Sequence, residues 1–241
     1  MRLRDKLHKA ADPRAAASAR RHFGRTFRLR RWFPPLTAAV LKREIERSGF
    51  AEIASRYRVK DPGTTPRKYL DLDHWLEVNL RRVLRLELDF GPRRRVLDLG
   101  MGAGYFLFIC QWLGHEVLGL DIDEDPMFAE LSLALQVPRR VARIEAFVPL
   151  PECGAKFDVI TAYMICFNNN NRPDVWGAPE WSFFLDDLAH HLREDGRVWL
   201  EFNRGKGAGH FTPELRSLFE HRGAVIDHHR VIFNSRPRAR G

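Results

Sequence analysis

Apolar positions change rhythm near residue 95. Before it the spacing is helical: Leu36, Val40, Leu41 and Ile45 share one side of a helix predicted from Leu36 to Ser48 and closed by Gly49. A loop is expected next, because Asp61-Pro62-Gly63-Thr64-Thr65-Pro66 is turn chemistry. A second helix is predicted from Tyr69 to about Leu88, with Leu72, Leu76, Leu80, Val83 and Leu84 on one side. From Arg95 onward, short apolar runs alternate with helical segments, the pattern of a parallel sheet covered on both faces. Strands are predicted at Arg95 to Leu99, Glu116 to Asp121, Val141 to Phe147, Phe157 to Tyr163 and Gly196 to Phe202, with helices near 104–113, 126–135 and 180–193.

The fold class that follows is α/β: a Rossmann-like doubly wound sheet of six or seven strands, mostly parallel, with an N-terminal helical cap. Three segments are expected: a basic arm at 1–35, the helical cap at 36–92 and the α/β domain at 93–241. The strand number depends on Ala224 to Phe233, which is either a very tight hairpin near His228 or one continuous strand. On a strand, His228 and His229 would point to opposite faces and would not share a metal ion. His190 and His191, adjacent on a helix, are separated in the same way.

Composition narrows the setting. At 241 residues, 44% hydrophobic and 29% charged, the chain suits a packed globular protein. No apolar run is longer than the stretch Tyr105 to Cys110, far short of the roughly 18–20 residues needed to cross a bilayer. Cys110, Cys153 and Cys166 form no Cys-x-x-Cys pair and no zinc spacing, so no disulfide framework and no metal site are expected, and the cytoplasm is the expected location. Residues 1–31 hold 11 of the 40 Lys and Arg but 2 of the 31 Asp and Glu, so the body carries 29 of each and the net charge of +9 belongs to the arm. The arm reads either as a solvated tail or as a contact for anionic lipid, polysaccharide or RNA; Asp5 and Asp12 weigh against a transit peptide.

In such a sheet the chemistry lies in the loops after the strands. Val96 to Leu99 runs into Gly100-Met101-Gly102-Ala103-Gly104, whose glycines let the backbone approach a ligand at a helix N-terminus. The dinucleotide fingerprint G-x-G-x-x-G would need glycine at 105, where Tyr105 stands, which disfavours a nicotinamide dehydrogenase. Asp121 ends the next apolar strand, 17 residues after Gly104, placed to accept hydrogen bonds from two ribose hydroxyls. Asp123, ahead of Glu124-Asp125-Pro126, reads as a helix N-cap.

Taken together, Asp98-x-Gly100-x-Gly102-x-Gly104, Gly119-Leu120-Asp121, Phe157 to Ala162 and Leu192 to Leu200 resemble the class I S-adenosylmethionine-dependent methyltransferases in order and spacing over residues 93–235. The resemblance implies S-adenosyl-L-methionine as cofactor. Gly100, Met101, Gly102 and Gly104 would line its methionine end, Asp98 would orient that loop and reach the amino group, Asp121 would hold the ribose and Ile122 would lie against the adenine. Ala146 stands where many members carry an acid for the adenine amino group, with Glu145 one position off; Phe147 stacking or a backbone bond would replace that contact. Tyr163, at the end of the fourth strand, completes this set.

The segment Met164 to Asn168 lacks the Asn/Asp-Pro-Pro-Tyr that the family uses on nucleobase amino groups. That argues against base amino-methylation; the acceptor expected is a small molecule or saccharide-like, at oxygen in preference to nitrogen. Cys166, Asn168, Trp176 and Arg204 are its expected contacts, Arg204 and Lys206 suiting an anionic acceptor and Cys166 acting as a wall rather than a nucleophile. His210 is the first candidate base and His74 the second. Tyr69 and Trp75 either close over the cofactor or belong to the core. The long Asn168 to Trp181 connection is either a lid or a surface excursion pinned by Trp176 and Trp181. Two rival functions remain: an RNA methyltransferase gripping phosphates with the arm, and a non-catalytic interaction protein that keeps the fold.

Overall fold

The structure is a computed structural model that describes residues 36–59, 65–164, 175–203 and 209–239. The basic arm lies outside the described residues. Helix α1 (Ala38–Arg47) begins at Thr37, whose hydroxyl accepts the Val40 N–H, and buries Leu41 and Ile45. The loop expected after Gly49 is instead a second helix, α2 (Phe50–Val59). Its apolar stripe is short, Ile53 and Ala54 being buried between exposed Glu52 and Arg56, which is why spacing alone does not reveal it. The helix predicted from Tyr69 to Leu88 is divided: a 3-10 turn covers Thr65–Leu70, and Asp71 caps α3 (Leu72–Arg85) by accepting the His74 N–H.

Seven strands follow among the described residues: β1 (Arg95–Leu99), β2 (Glu116–Asp121), β3 (Arg139–Val141), β4 (Phe157–Tyr163), β5 (Leu192–Glu201), β6 (Val225–Asp227) and β7 (Arg230–Phe233). They form one sheet in the order β3-β2-β1-β4-β5-β7-β6, parallel except that β7 runs antiparallel to β5 and β6. Of the two readings of the C-terminal segment, the tight hairpin is the one present. It turns at His228 and His229, with His228 at φ 57°, so these residues sit in a turn and their Nδ1 atoms lie 3.3 Å apart. The expectation that they point to opposite strand faces is thereby corrected.

The connecting helices are α4 (Tyr105–Trp112), α5 (Pro126–Ala134), α6 (Ala178–His191) and α7 (Pro213–His221). Asp125, not Asp123, caps α5 by accepting the Met127 N–H, while Asp123 pairs with Arg139. The third strand lies earlier than Val141 to Phe147: only Arg139 to Val141 pair with Gly119 to Asp121, and the apolar residues beyond them turn to other uses. Helix α7, started by Thr212 and Pro213, has no counterpart among the predicted elements.

Side chains alternate along the strands and divide the interior into two layers. Val96, Val117 and Val159 belong to one buried cluster with residues of α1, α2, α3, α4 and α5; Leu97, Leu99, Ile160 and Leu200 belong to another with residues of α6 and α7. The N-terminal helices thus share a core with α4 and α5, reinforced where the Tyr57 hydroxyl donates to Glu130 at 2.7 Å. Among the described residues no helix is long and apolar enough to cross a membrane.

Candidate functional site

The strand order reverses between β1 and β4, the position where doubly wound sheets bind ligands beyond the carboxyl ends of their strands. The loop leaving β1 holds Gly100, Gly102 and Gly104 at φ 71°, 54° and 78°, values that side chains with a Cβ rarely adopt. It is tied to the end of β2: the Gly100 and Met101 N–H groups both donate to the Leu120 carbonyl, at 2.8 and 3.2 Å. The Gly102 N–H donates to the Asp121 carboxylate, whose Oδ1 accepts the Ile122 N–H at 2.8 Å. Burial raises the Asp121 pKa, and these two N–H groups with Arg139 oppose the rise.

Two adjoining cavities flank this loop. The larger, about 530 Å³, is bounded by Gly100, Gly102, Asp121, Ile122, the Ala142–Ala146 segment, Tyr163 and Trp176. The smaller, about 70 Å³, lies against Asp98, the residues from Gly100 to Phe106, and Trp75, Asn79 and Arg82 of α3. Tyr69, Gly100, Gly102, Tyr163 and Met164 are walls of both.

Asp98 is 3% exposed, and its carboxylate accepts the Thr161 hydroxyl from the neighbouring strand at 2.6 Å. Burial pushes its pKa up to about 7 from an ordinary 3.8, against the pull of the Thr161 hydroxyl and the Arg82 charge. Tyr105 buries its ring, and its hydroxyl donates to the Tyr69 carbonyl at 2.9 Å, fastening the start of α4 to the N-terminal helices. Tyr69 stacks on Trp75 with centroids 4.5 Å apart and meets Phe128 edge-on. The rings pack against the core, and both also line the smaller cavity.

The sequence-derived set divides as follows. Asp98, Gly100, Met101, Gly102, Gly104, Asp121, Ile122, Ala146, Tyr163 and Trp176 all line one or both cavities. Phe147 lines neither; it is 53% exposed at φ 60° and meets Phe183 edge-on. His74 is exposed against the edge of Trp75, away from both linings. His210 stands with His228 and His229 beyond the end of β5, its ring centroid 5.1 and 5.5 Å from theirs, and borders neither cavity. Among the described residues no group of three or more His, Cys, Asp or Glu could hold a metal ion. Cys166, Asn168, Arg204 and Lys206 lie outside the described residues, as does most of the 168–181 connection; of its two anchors, Trp176 packs against Trp181 and Phe184.

Residues absent from that set include Thr161, which Asp98 accepts from, and Asn79 and Arg82 on the wall of the smaller cavity. Asn79 and Arg82 had a signal: with Trp75 they form one stripe on α3, where the two polar residues interrupt an otherwise apolar side. Met164 adopts φ 59°, held there by its N–H to the Glu201 carbonyl and by Asn203, which donates to its own carbonyl at 2.7 Å.

Fold and site together define a Rossmann-like α/β protein with a two-part cavity at the switch point. The solved structures to which it is similar are methyltransferases in the cases that follow. A TehB-like S-adenosylmethionine-dependent methyltransferase from Corynebacterium glutamicum is 17% identical, with 70% of this chain and 97% of that chain covered and a TM-score of 0.45. The glycopeptide N-methyltransferase MtfA is 11% identical over 65% of this chain and 87% of its own, with a TM-score of 0.45. An amino pentose methyltransferase from Micromonospora echinaspora, solved with S-adenosylmethionine, is 21% identical over 63% of this chain and 55% of its own, with a TM-score of 0.36. At these identities the likeness is one of fold. No protein-family model matches the chain, and no curated protein is similar to it in sequence.

Proposed function

We propose that the protein is an S-adenosylmethionine-dependent methyltransferase acting on a small-molecule or saccharide-like acceptor, at oxygen. The observation that carries this reading is the pairing of Asp121 with the glycine loop: a carboxylate at the end of β2, inside a cavity of about 530 Å³, bonded to the Gly102 N–H. That position suits two ribose hydroxyls, while Ile122, Ala142, Ile144 and Ala146 offer apolar wall to a purine, with Arg143 and Glu145 beside them. The smaller cavity, with Asp98 on its wall, suits an amino-acid head group. Bound there, the cofactor would supply an electrophilic methyl group on a sulfonium.

What the chain contributes to such a transfer is alignment and exclusion of water. Tyr69 and Tyr163 wall both cavities, so the junction where a sulfonium would lie is bordered by aromatic rings, which favour a cation. Met164 and Val175, 45% and 42% exposed, form an apolar mouth beside Trp176 on the acceptor side. His210 is the proposed base for a hydroxyl acceptor; because it borders neither cavity, an acceptor would have to extend beyond the mouth to meet it.

Equilibrium dialysis against methyl-labelled S-adenosylmethionine tests the assignment. Asp121→Ala, removing two charge-assisted bonds to the ribose and the anchor of Gly102, is expected to weaken binding roughly tenfold to a hundredfold or more with folding retained. Unchanged affinity in a folded variant would remove Asp121 from the cofactor site.

A further inference from the structure

Two sets of residues wall the larger cavity. Asp121, Ile122 and residues 142–146 follow β2 and β3, on the side proposed for the nucleoside. Met164 follows β4, and Val175, Trp176 and Glu180 lie just before or within the first turn of α6. Met164 also borders the smaller cavity, so this second half adjoins the junction where a sulfonium would lie. Its walls are fixed: Trp176 packs on Trp181 and Phe184, and two hydrogen bonds keep Met164 at φ 59°, a conformation that costs energy.

Among the described residues of this half, Glu180 is the charged one. It is the third residue of α6, and its Oε2 accepts the Gly177 N–H at 2.9 Å, the bond expected of a glutamate at that helix position. One such bond leaves most of a carboxylate's acceptor capacity unused. Among the described residues no second donor reaches Glu180 and no cation pairs with it, whereas Arg143 on the opposite side is paired with Glu124. A helix cap requires neither a cavity nor an uncommitted oxygen, and Glu180 has both. Beside apolar Met164, Val175 and Trp176, its charge attracts a cation more strongly than it would in open water. The Tyr69 and Tyr163 rings on the same cavity favour the same partner, because ring faces attract cations. An anionic group entering this half would meet like charge.

We propose that Glu180 selects the acceptor: the group entering this half carries a protonated amine near the hydroxyl to be methylated, and its ammonium pairs with the uncommitted oxygen of Glu180. This rests on the methyltransferase reading and narrows the acceptor class to amino-bearing small molecules or amino sugars. It differs from the anionic acceptor that Arg204 and Lys206 suit. Met164, Val175 and Trp176 cover the apolar part of the ligand.

The test compares two cofactor analogues by calorimetry on the full chain. In sinefungin an amine-bearing carbon replaces the methyl-bearing sulfur, so an ammonium takes the place of the transferred methyl, beside this half; S-adenosylhomocysteine has no such group. Wild type is expected to bind sinefungin about tenfold or more tightly than S-adenosylhomocysteine. Glu180→Gln keeps an oxygen for the Gly177 N–H, so the cap survives; it should lose most of that margin while its affinity for S-adenosylhomocysteine stays unchanged. Equal weakening of both ligands would place Glu180 on the nucleoside or in the cap alone and overturn the proposal. An unaltered margin in the folded variant would overturn it too, as would a wild type with no preference for sinefungin, a result that needs no variant to fold. Failure of the wild type to bind either analogue would instead overturn the methyltransferase reading on which the proposal stands.

Discussion

Asp98→Asn is expected to make the ligand-free protein more stable at pH 8 and at the same time to remove most of its affinity for the cofactor. Burial raises the Asp98 pKa to about 7 in the folded chain, whereas the unfolded chain titrates near 3.8. The folded state therefore holds a proton that the unfolded state has lost, so stability from this group is full below pH 4, falls between pH 4 and 7, and is absent above 7. A shift of that size corresponds to about 4 kcal/mol. Asn mimics the protonated carboxyl and can still accept the Thr161 hydroxyl, so its advantage should grow from pH 5 to pH 8 as a rise in melting temperature of several degrees. Wild-type affinity for S-adenosylhomocysteine should fall about tenfold per pH unit below 7, because an ammonium is met by the ionised form alone. A variant less stable than wild type at pH 8 would show that the buried charge is already compensated.

The second large effect is expected at Gly119. It pairs with Asp98 across the β1–β2 ladder, and a Cβ placed there would lie 1.9 Å from the Met101 sulfur, 2.8 Å from Met101 Cγ and 3.0 Å from a Leu107 methyl. Met101 has little room to retreat: it is 7% exposed, and its terminal methyl already lies 2.9 Å from where a Gly104 Cβ would be. Gly119→Ala should therefore cost about 1–3 kcal/mol of stability and displace the glycine loop, weakening S-adenosylhomocysteine binding by about tenfold or more. Adding Met101→Ala to Gly119→Ala should recover much of the stability, because the clash is with that side chain. No recovery in the double variant would mean that the strand backbone, not Met101, absorbs the strain.

Central strands were legible in the sequence because both of their faces are buried, which leaves unbroken apolar runs: β1, β2 and β4 have the predicted limits. Edge elements were not. The third strand is three residues of mostly exposed Arg-Arg-Val, and the apolar Ile144 and Ala146 that suggested a longer strand instead line the cavity. Helix α2 is held by a bridge from Tyr57 to Glu130, a partner far away in the chain and invisible to local spacing. Asp98, the three loop glycines and Asp121 could be read because a strand end fixes where they point. Arg82 and Thr161 acquire their meaning from a neighbouring helix or strand, so only packing reveals them. The turn at His228 and His229 shows the same limit: two residues that a continuous strand would separate are brought to 3.3 Å by a positive φ at the first.

The most direct test of the central claim is calorimetric titration of S-adenosylhomocysteine into the full chain, with NAD titrated in parallel. The two-part cavity predicts one site per chain, an affinity on the order of micromolar, and no binding of NAD, whose pyrophosphate would need a glycine where Tyr105 stands. Binding of NAD, or no heat from S-adenosylhomocysteine with the protein folded, would contradict it.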